Sequence, residues 1–323
     1  MKNNTAALSV IAIASALALS ACGGGGGSAQ PGASAPPAST ATTGNVSPPQ
    51  YAANSAQMAA FTLLNQQRQQ CGFPALTENT VLDQAAVAHA KYMGQNGGAI
   101  TDTEVATNSG FTGAQYSDRA TAKGFPSGAW VAGVSGGYYT NSTLTETQYG
   151  QQLVYELLSG VYHIAIGVLP ATEIGVGWNE TTFNGFPAIQ ATLSLANPQS
   201  ISGPRTFPCQ GTAGVAYSAG GESPTPPNTA GNWGTPIAVA GNLTDTIVLT
   251  SGTIIPTGGG TTINLNLLDS ANDPNKELPS YIAVAYPTAP LSPNTGYSVS
   301  ITGTYNGTLF SRSFTFTTGN VVG

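Results

Sequence analysis

Apolar positions along this chain follow one period up to about residue 160 and another beyond it. In "QMAAFTLLNQQRQQ", Gln57 to Gln70, the residues Met58, Phe61, Leu64 and Arg68 recur at helical spacing, Arg68 marks the end of the stripe, and Cys71-Gly72 stops it. In "VLDQAAVAHAKYMGQ", Leu82, Ala85, Ala86, His89 and Met93 share the face that a second helix would bury. "TLTE", Thr143 to Glu146, has the spacing of a capping box. The helix it opens carries Tyr149, Leu153 and Leu157 on one stripe and ends at Gly160. The period then shortens. "HIAIGVL" and "EIGVGW" are short apolar runs, and "AIQATLSL" alternates, with Ile189, Ala191, Leu193 and Leu195 on one face. These runs predict strands. Helices followed by strands across long loops predict an α+β domain over 56–212.

After a Pro/Gly-rich linker, 213–231, helical periodicity disappears. "DTIVLTSGTII", "TTINLNLL", "YIAVAYP", "YSVSITGTY" and "TLFSRSFTFTT" predict strands of an all-β sandwich over 232–323, with a hairpin turn at Asn306-Gly307. "LSPNTGY", Leu291 to Tyr297, resembles the tyrosine corner of immunoglobulin-like and fibronectin-like sandwiches. That resemblance implies a bond from the tyrosine hydroxyl back to the backbone a few residues upstream.

The N-terminal residues address compartment. Lys2, the apolar run Ala6 to Ala18 and "LSAC" at Leu19 to Cys22 predict a signal peptide over 1–21. The site resembles a bacterial lipobox. The resemblance implies acylation of Cys22, attachment to a membrane surface and, with Gly23 rather than Asp next, the outer membrane of a bacterial envelope. Residues 22–55 are an uncharged Gly/Ala/Ser/Pro tether that cannot bury a core. With 7% charged residues and a net charge of −6, no basic patch exists, which argues against nucleic acid as a partner. In an oxidising compartment the remaining cysteines, Cys71 and Cys209, are expected to form one disulfide.

The stretches "LLNQQRQQCGFPALTENTVLDQAAVAHAKYM", "GFTGAQYSDRATAKGF" and "ELLSGVYHIAIGVLPATEIGVGW" together resemble the bacterial branch of the CAP superfamily, the cysteine-rich secretory, antigen-five and pathogenesis-related proteins. The resemblance covers most of 57–197 and implies an α-β-α sandwich. It also implies a cleft that often holds two histidines and two acidic residues able to bind a divalent metal. This sequence departs from that set. Asp102 stands where a histidine is expected, Glu104 is kept, and Gly133 falls at or near the place of a cleft glutamate. His163 stays in register, but Ile164 replaces the usual arginine after it.

His163, Glu104 and Asp102 are thus the candidate metal ligands, three if they converge, and a carboxylate-rich set suits calcium or magnesium better than zinc. The alternative is a half-buried His163 bonded to a nearby carboxylate or backbone group, in a cleft with no cofactor. "GVSGG", Gly133 to Gly137, matches the G-x-S-x-G pattern and makes Ser135 a candidate nucleophile with His163, although no helix follows it directly. His89, on an apolar helix face, is expected to be a core histidine. Asp118 and Arg119 are expected to form a local ion pair holding the cleft loop, the alternative being substrate binding. Trp130, Tyr138 and Tyr139 are placed either to stack on a ligand or in the core. Two functions follow: a non-catalytic binding or scaffold lipoprotein with an envelope glycan, lipid or protein as partner, or an envelope hydrolase using His163.

Overall fold

The computed structural model describes residues 44–323 and one short strand before them, β1 (Ala6–Ala7). Apart from that strand, the expected signal peptide lies outside the described residues, as do Cys22, the expected lipidation site, and the expected tether up to residue 43.

The first module runs β2 (Asn45–Val46), α1 (Ala56–Gln70), β3 (Thr77–Asn79), α2 (Thr80–Gln95), α3 (Tyr116–Ala122), β4 (Val131–Gly136), β5 (Tyr138–Tyr139), α4 (Glu146–Ser159), α5 (Ala165–Val168), β6 (Ala171–Phe183) and β7 (Phe186–Pro198). The strand order is β1-β5-β7-β6-β3-β2, and β4 also pairs with β7. Helices cover both faces of the sheet. On one face α2 lies so close to β6 that a methyl group on Gly177 would stand 2.1 Å from the Ala86 carbonyl oxygen. On the other face Ile174, Val176 and Leu193 join Leu64 of α1 and Leu153 and Leu157 of α4 in one core. The helix-then-strand pattern predicts an α+β domain and the family resemblance implies an α-β-α sandwich; the mixed α/β arrangement is consistent with both.

Several local expectations are corrected. The capping box uses Thr145 and Gln148, two residues after the expected "TLTE", because the helix begins at Glu146. "HIAIGVL" is not a strand: a turn and the four-residue α5 occupy it, since the run is apolar all round and is buried on every side. In β7 the polar partners Gln190, Thr192 and Ser194 are buried as fully as the apolar set, because α2 and its loops cover the second face. Helix α3 and strand β4 carry no periodicity strong enough to predict them. Arg68 does more than end α1. It is fully buried and donates to the carbonyls of Pro74, Ile166 and Ala171, tying α1 to the start of β6. Burial pulls its pKa down to about 9.

The second module comprises β8 (Arg205–Phe207), β9 (Thr212–Val215), β10 (Ile237–Ala240), β11 (Ile247–Pro256), β12 (Ile263–Asn264), β13 (Asn266–Leu268), β14 (Ile282–Tyr286), β15 (Gly296–Tyr305) and β16 (Thr308–Thr318). They form one sheet in the order β13-β14-β10-β8 and a second in the order β12-β11-β15-β16-β9. Asn306 and Gly307 both have positive φ, 51° and 78°, as a tight hairpin turn requires. The Tyr297 hydroxyl accepts the Ser292 N–H, five residues upstream. Strands β8 and β9 come from 205–215, which the sequence pattern divides between the first domain and a linker. Both pair with the second module instead.

The two modules share one apolar core that includes Leu157, Phe207, Trp233 and Val284. The Trp233 indole donates to the Ser159 carbonyl, and Gln152 donates to the Val322 carbonyl. The disulfide Cys71–Cys209 joins the end of α1 to the loop between β8 and β9. No helix among the described residues is long and apolar enough to cross a membrane.

Candidate functional site

The site is built on the α2 face of the sheet, where α2, α3, β4 and the loop between α2 and α3 meet. His89 projects from the buried face of α2. Its Nδ1 lies 2.9 Å from a Glu104 carboxylate oxygen and its Nε2 lies 2.7 Å from the Thr101 carbonyl. Both ring nitrogens therefore have partners, so the expected core histidine is a pinned one. Glu104 also accepts the Thr112 and Gly113 N–H groups and the Thr112 hydroxyl. Burial pushes its carboxyl up, but the contact with His89, the Thr112 N–H and the nearby Arg119 outweigh burial and hold it below the usual range.

Asp102 is buried one turn of chain away. It accepts the Tyr116 hydroxyl at 2.5 Å and the Ser135 N–H at 2.7 Å. Burial, opposed by those bonds and by the charge of His163, raises its pKa. Tyr116 opens α3, and its ring lies against Gly133. A Cβ at Gly133 would stand 2.3 Å from the ring and 2.6 Å from the Leu193 carbonyl. The space beside the position where a cleft glutamate was expected is thus filled by Tyr116. Arg119 stacks over the same ring at 4.4 Å and donates to the carbonyls of Asp102, Gly113 and Ala114. Asp118 does not join it in the expected ion pair, because its carboxylate turns back to the Gln115 N–H at the start of α3. The cleft loop is held, but by Arg119 through backbone carbonyls.

Ser135 is fully buried in β4, with its hydroxyl 2.9 Å from the Tyr116 hydroxyl and 3.4 Å from that of Thr192. It lies within a strand rather than on a strand-to-helix elbow, and no hydrogen bond joins it to His163 among the described residues. Its neighbours are the Tyr116 and Thr192 hydroxyls and the buried Asp102 carboxylate, with no imidazole bonded to it among the described residues.

His163 sits in the turn between α4 and α5. Its partner is Glu222, from the segment expected to be a linker, and not Glu104. One Glu222 oxygen accepts the Val161 N–H at 2.7 Å. The other accepts the N–H groups of Tyr162 and His163 at 2.9 and 2.8 Å, with His163 Nδ1 at 2.9 Å. The carboxylate expected beside His163 is therefore present, but it comes from 59 residues downstream. Burial pulls the His163 pKa down. The Glu222 bond and the charges of Glu222, Asp102 and Glu156 outweigh that effect, so the net shift is upward.

The expected ligand set does not assemble. Glu104 is held by His89 and three other donors, Gly133 has no room for a side chain, and His163 turns Nδ1 to Glu222. Among the described residues no three His, Cys, Asp or Glu side chains form a group able to hold a metal ion. These residues do not fit a divalent cation of the kind the resemblance implied.

Beside His163 lies a cavity of about 400 Å³. Trp130, Ala132, Tyr116 and Leu169 line it from the first module, and Tyr281 and Ile282 from the second. Tyr138, expected as either a stacking or a core residue, is core, and its hydroxyl donates to the Tyr149 carbonyl. With Tyr139 it also borders a separate cavity of about 560 Å³. Sequence reasoning missed Glu222 and Tyr116. Glu222 is the only acid in an otherwise uncharged Pro/Gly stretch, and that isolation was its one signal.

Residues 61–189 match the family model of CAP, the cysteine-rich secretory protein family. No curated protein matches the chain. The matched residues contain His89, Asp102, Glu104, Ser135 and His163. Glu222 and the second module lie beyond them.

Proposed function

We propose that this chain is a non-catalytic binding or scaffold module built on a CAP domain, anchored by lipid on Cys22 to the outer membrane of a bacterial envelope. One observation carries the binding reading: the cavity beside His163 is walled by residues of both modules. A hydrolase would need a nucleophile or a metal-bound water open to substrate. Ser135 is buried in β4 and is not bonded to His163, and Glu104 is held by His89 and backbone N–H groups, so the geometry gives the hydrolase reading no support. The second module, read as an immunoglobulin-like sandwich on the strength of its Tyr297 corner and two packed sheets, serves as one wall of the cleft.

The anchor reading rests on "LSAC" and the uncharged residues after it. Cys22→Ser is expected to release the protein from membranes without altering its fold. Membrane retention of that variant after signal removal argues against the anchor. For binding, the mature protein is screened by calorimetry against envelope glycans, lipids and proteins, with metal content measured in parallel. Stoichiometric, tightly held zinc, calcium or magnesium lost on His163→Ala would overturn the reading and revive metal chemistry.

A further inference from the structure

We propose that the edge strand β5 is a docking site for an extended, uncharged peptide, which adds to the sheet as an antiparallel strand and sets alternate side chains into the cavity beside Tyr139. This rests on reading the chain as a binding module, places a second site away from His163 and names the class of partner.

The edge comes first. One side of β5 pairs with β7, where Tyr139 stands opposite Ala188. The other side carries β1, in the antiparallel register Ala6 to Tyr139 and Ala7 to Tyr138. β1 is the last strand on that side of the sheet and falls within the expected signal peptide, 1–21. Removal of the signal peptide therefore leaves β5 as the edge. An open sheet edge is a template for another strand, and proteins usually guard it with charge or proline. Gly136 to Asn141, "GGYYTN", has neither. The strand seated there comes from "TAALSVIA", Thr5 to Ala12, whose residues are uncharged and mostly small or aliphatic.

The cavity of about 560 Å³ has Gly137, Tyr138 and Tyr139 in its wall, so it lies alongside this edge. The Phe183 ring stands 4.8 Å from that of Tyr139, and Ile100, Ala188 and Ile189 add carbon. No charged residue lines the cavity among the described residues. Residues directly opposite on paired strands share a face of the sheet. A peptide residue opposite Tyr139 thus lies on the face of the Tyr139 ring, and the residue two further on lies opposite Gly137. Gly137 brings no side chain to that place, and Ile100 borders it. Strand addition divides the work in this way: backbone bonds hold the peptide, and pockets for alternate side chains select it.

Labelled peptides, followed by fluorescence anisotropy on the mature protein, test this. The probe is TAALSVIA, the sequence of Thr5 to Ala12, and it should bind saturably. Methylating the backbone nitrogens of both alanines after the threonine removes whichever N–H faces β5, and should weaken binding about tenfold or more. The same peptide with Leu8→Lys sets an ammonium group against a wall without an acid, and should weaken binding by a similar factor. In the protein, Phe183→Ala removes a side chain that is 47% exposed, leaves the core intact and should weaken binding severalfold. Ala188→Trp, which fills the cavity, should abolish it. Backbone amides from Gly137 to Thr140 should exchange more slowly with the probe bound, a signature of added strand bonds. The chain that retains residues 1–21 should bind the probe at least tenfold more weakly. There Ala6–Ala7 competes from a flexible tether, at an effective concentration on the order of millimolar.

Equal affinity for the methylated peptide, with amide exchange unchanged, would overturn strand addition. Equal or tighter binding of the Leu8→Lys peptide, or no effect of Phe183→Ala, would overturn the cavity as the selecting surface. Equal binding with and without residues 1–21 would overturn β5 as the seat. A folded mature protein that takes up none of the peptides would overturn the site itself. In that event the envelope screen separately decides the binding-module reading, which stands on the His163 cavity.

Discussion

Removing the Glu222 carboxylate should loosen the junction of the two modules. Glu222 is 5% exposed and accepts three backbone N–H groups, from Val161, Tyr162 and His163, along with the His163 ring. Glu222→Ala leaves those donors buried without an acceptor. Breaking a buried, hydrogen-bonded ion pair costs about 3–5 kcal/mol, less than the sum of its bonds because neighbouring effects do not add. For a chain of this size that corresponds to a fall in Tm on the order of 10 °C. Glu222→Gln keeps one acceptor oxygen and the side-chain volume, and its cost should be about half as large. The same pair sets a pH dependence. The His163 pKa is raised in the folded state, so the stability it contributes is fully present below the ordinary histidine value of about 6.5. It is lost as pH rises through the folded value. Urea denaturation of wild type and both variants at several pH values above and below 6.5 measures the two effects together. A loss below about 0.5 kcal/mol for Glu222→Ala, which is surface-substitution scale, would refute the latch. So would a pH profile above 6.5 that Glu222→Gln leaves unchanged.

The remaining expectations concern the core and the acid limb. Gly133→Ala should destabilise by about 1–3 kcal/mol, the range for overpacking, because the new methyl meets the Tyr116 ring and the Leu193 carbonyl; chemical denaturation measures it. Reduction of Cys71–Cys209, or its replacement by serines, releases a loop with a sequence separation of 138 and should cost up to about 5 kcal/mol by chain entropy, seen as a lower denaturation midpoint. Glu104 has a depressed pKa, so its contribution is present above the ordinary carboxylate range and is lost as pH falls through the depressed value. Acid titration of Glu104→Gln should lack that part of the wild-type transition.

How much of this was legible beforehand depended on whether a residue's partner lay nearby in sequence. The stripe Phe61, Leu64, the face Leu82 to Met93 and the alternation through Ile189 to Leu195 report burial directly, because period alone decides which side chains share a face. The Cys71–Cys209 pairing followed from compartment and count, and the Asn306-Gly307 turn from the two residues themselves. "HIAIGVL" was misread because a short apolar run buried all round has no period to distinguish strand from helix. Asp102, Glu104 and His163 were recognised as one neighbourhood, yet their pairing was decided only in three dimensions. His89 reaches Glu104 across a loop, and Glu222 arrives at the α4–α5 turn because β8 and β9 fold into the second module and carry the following chain back over the first. Hydrophobic period is a local property of sequence. The choice of partner for a buried charge belongs to topology, and it determined that His163 pairs with Glu222 rather than with Glu104.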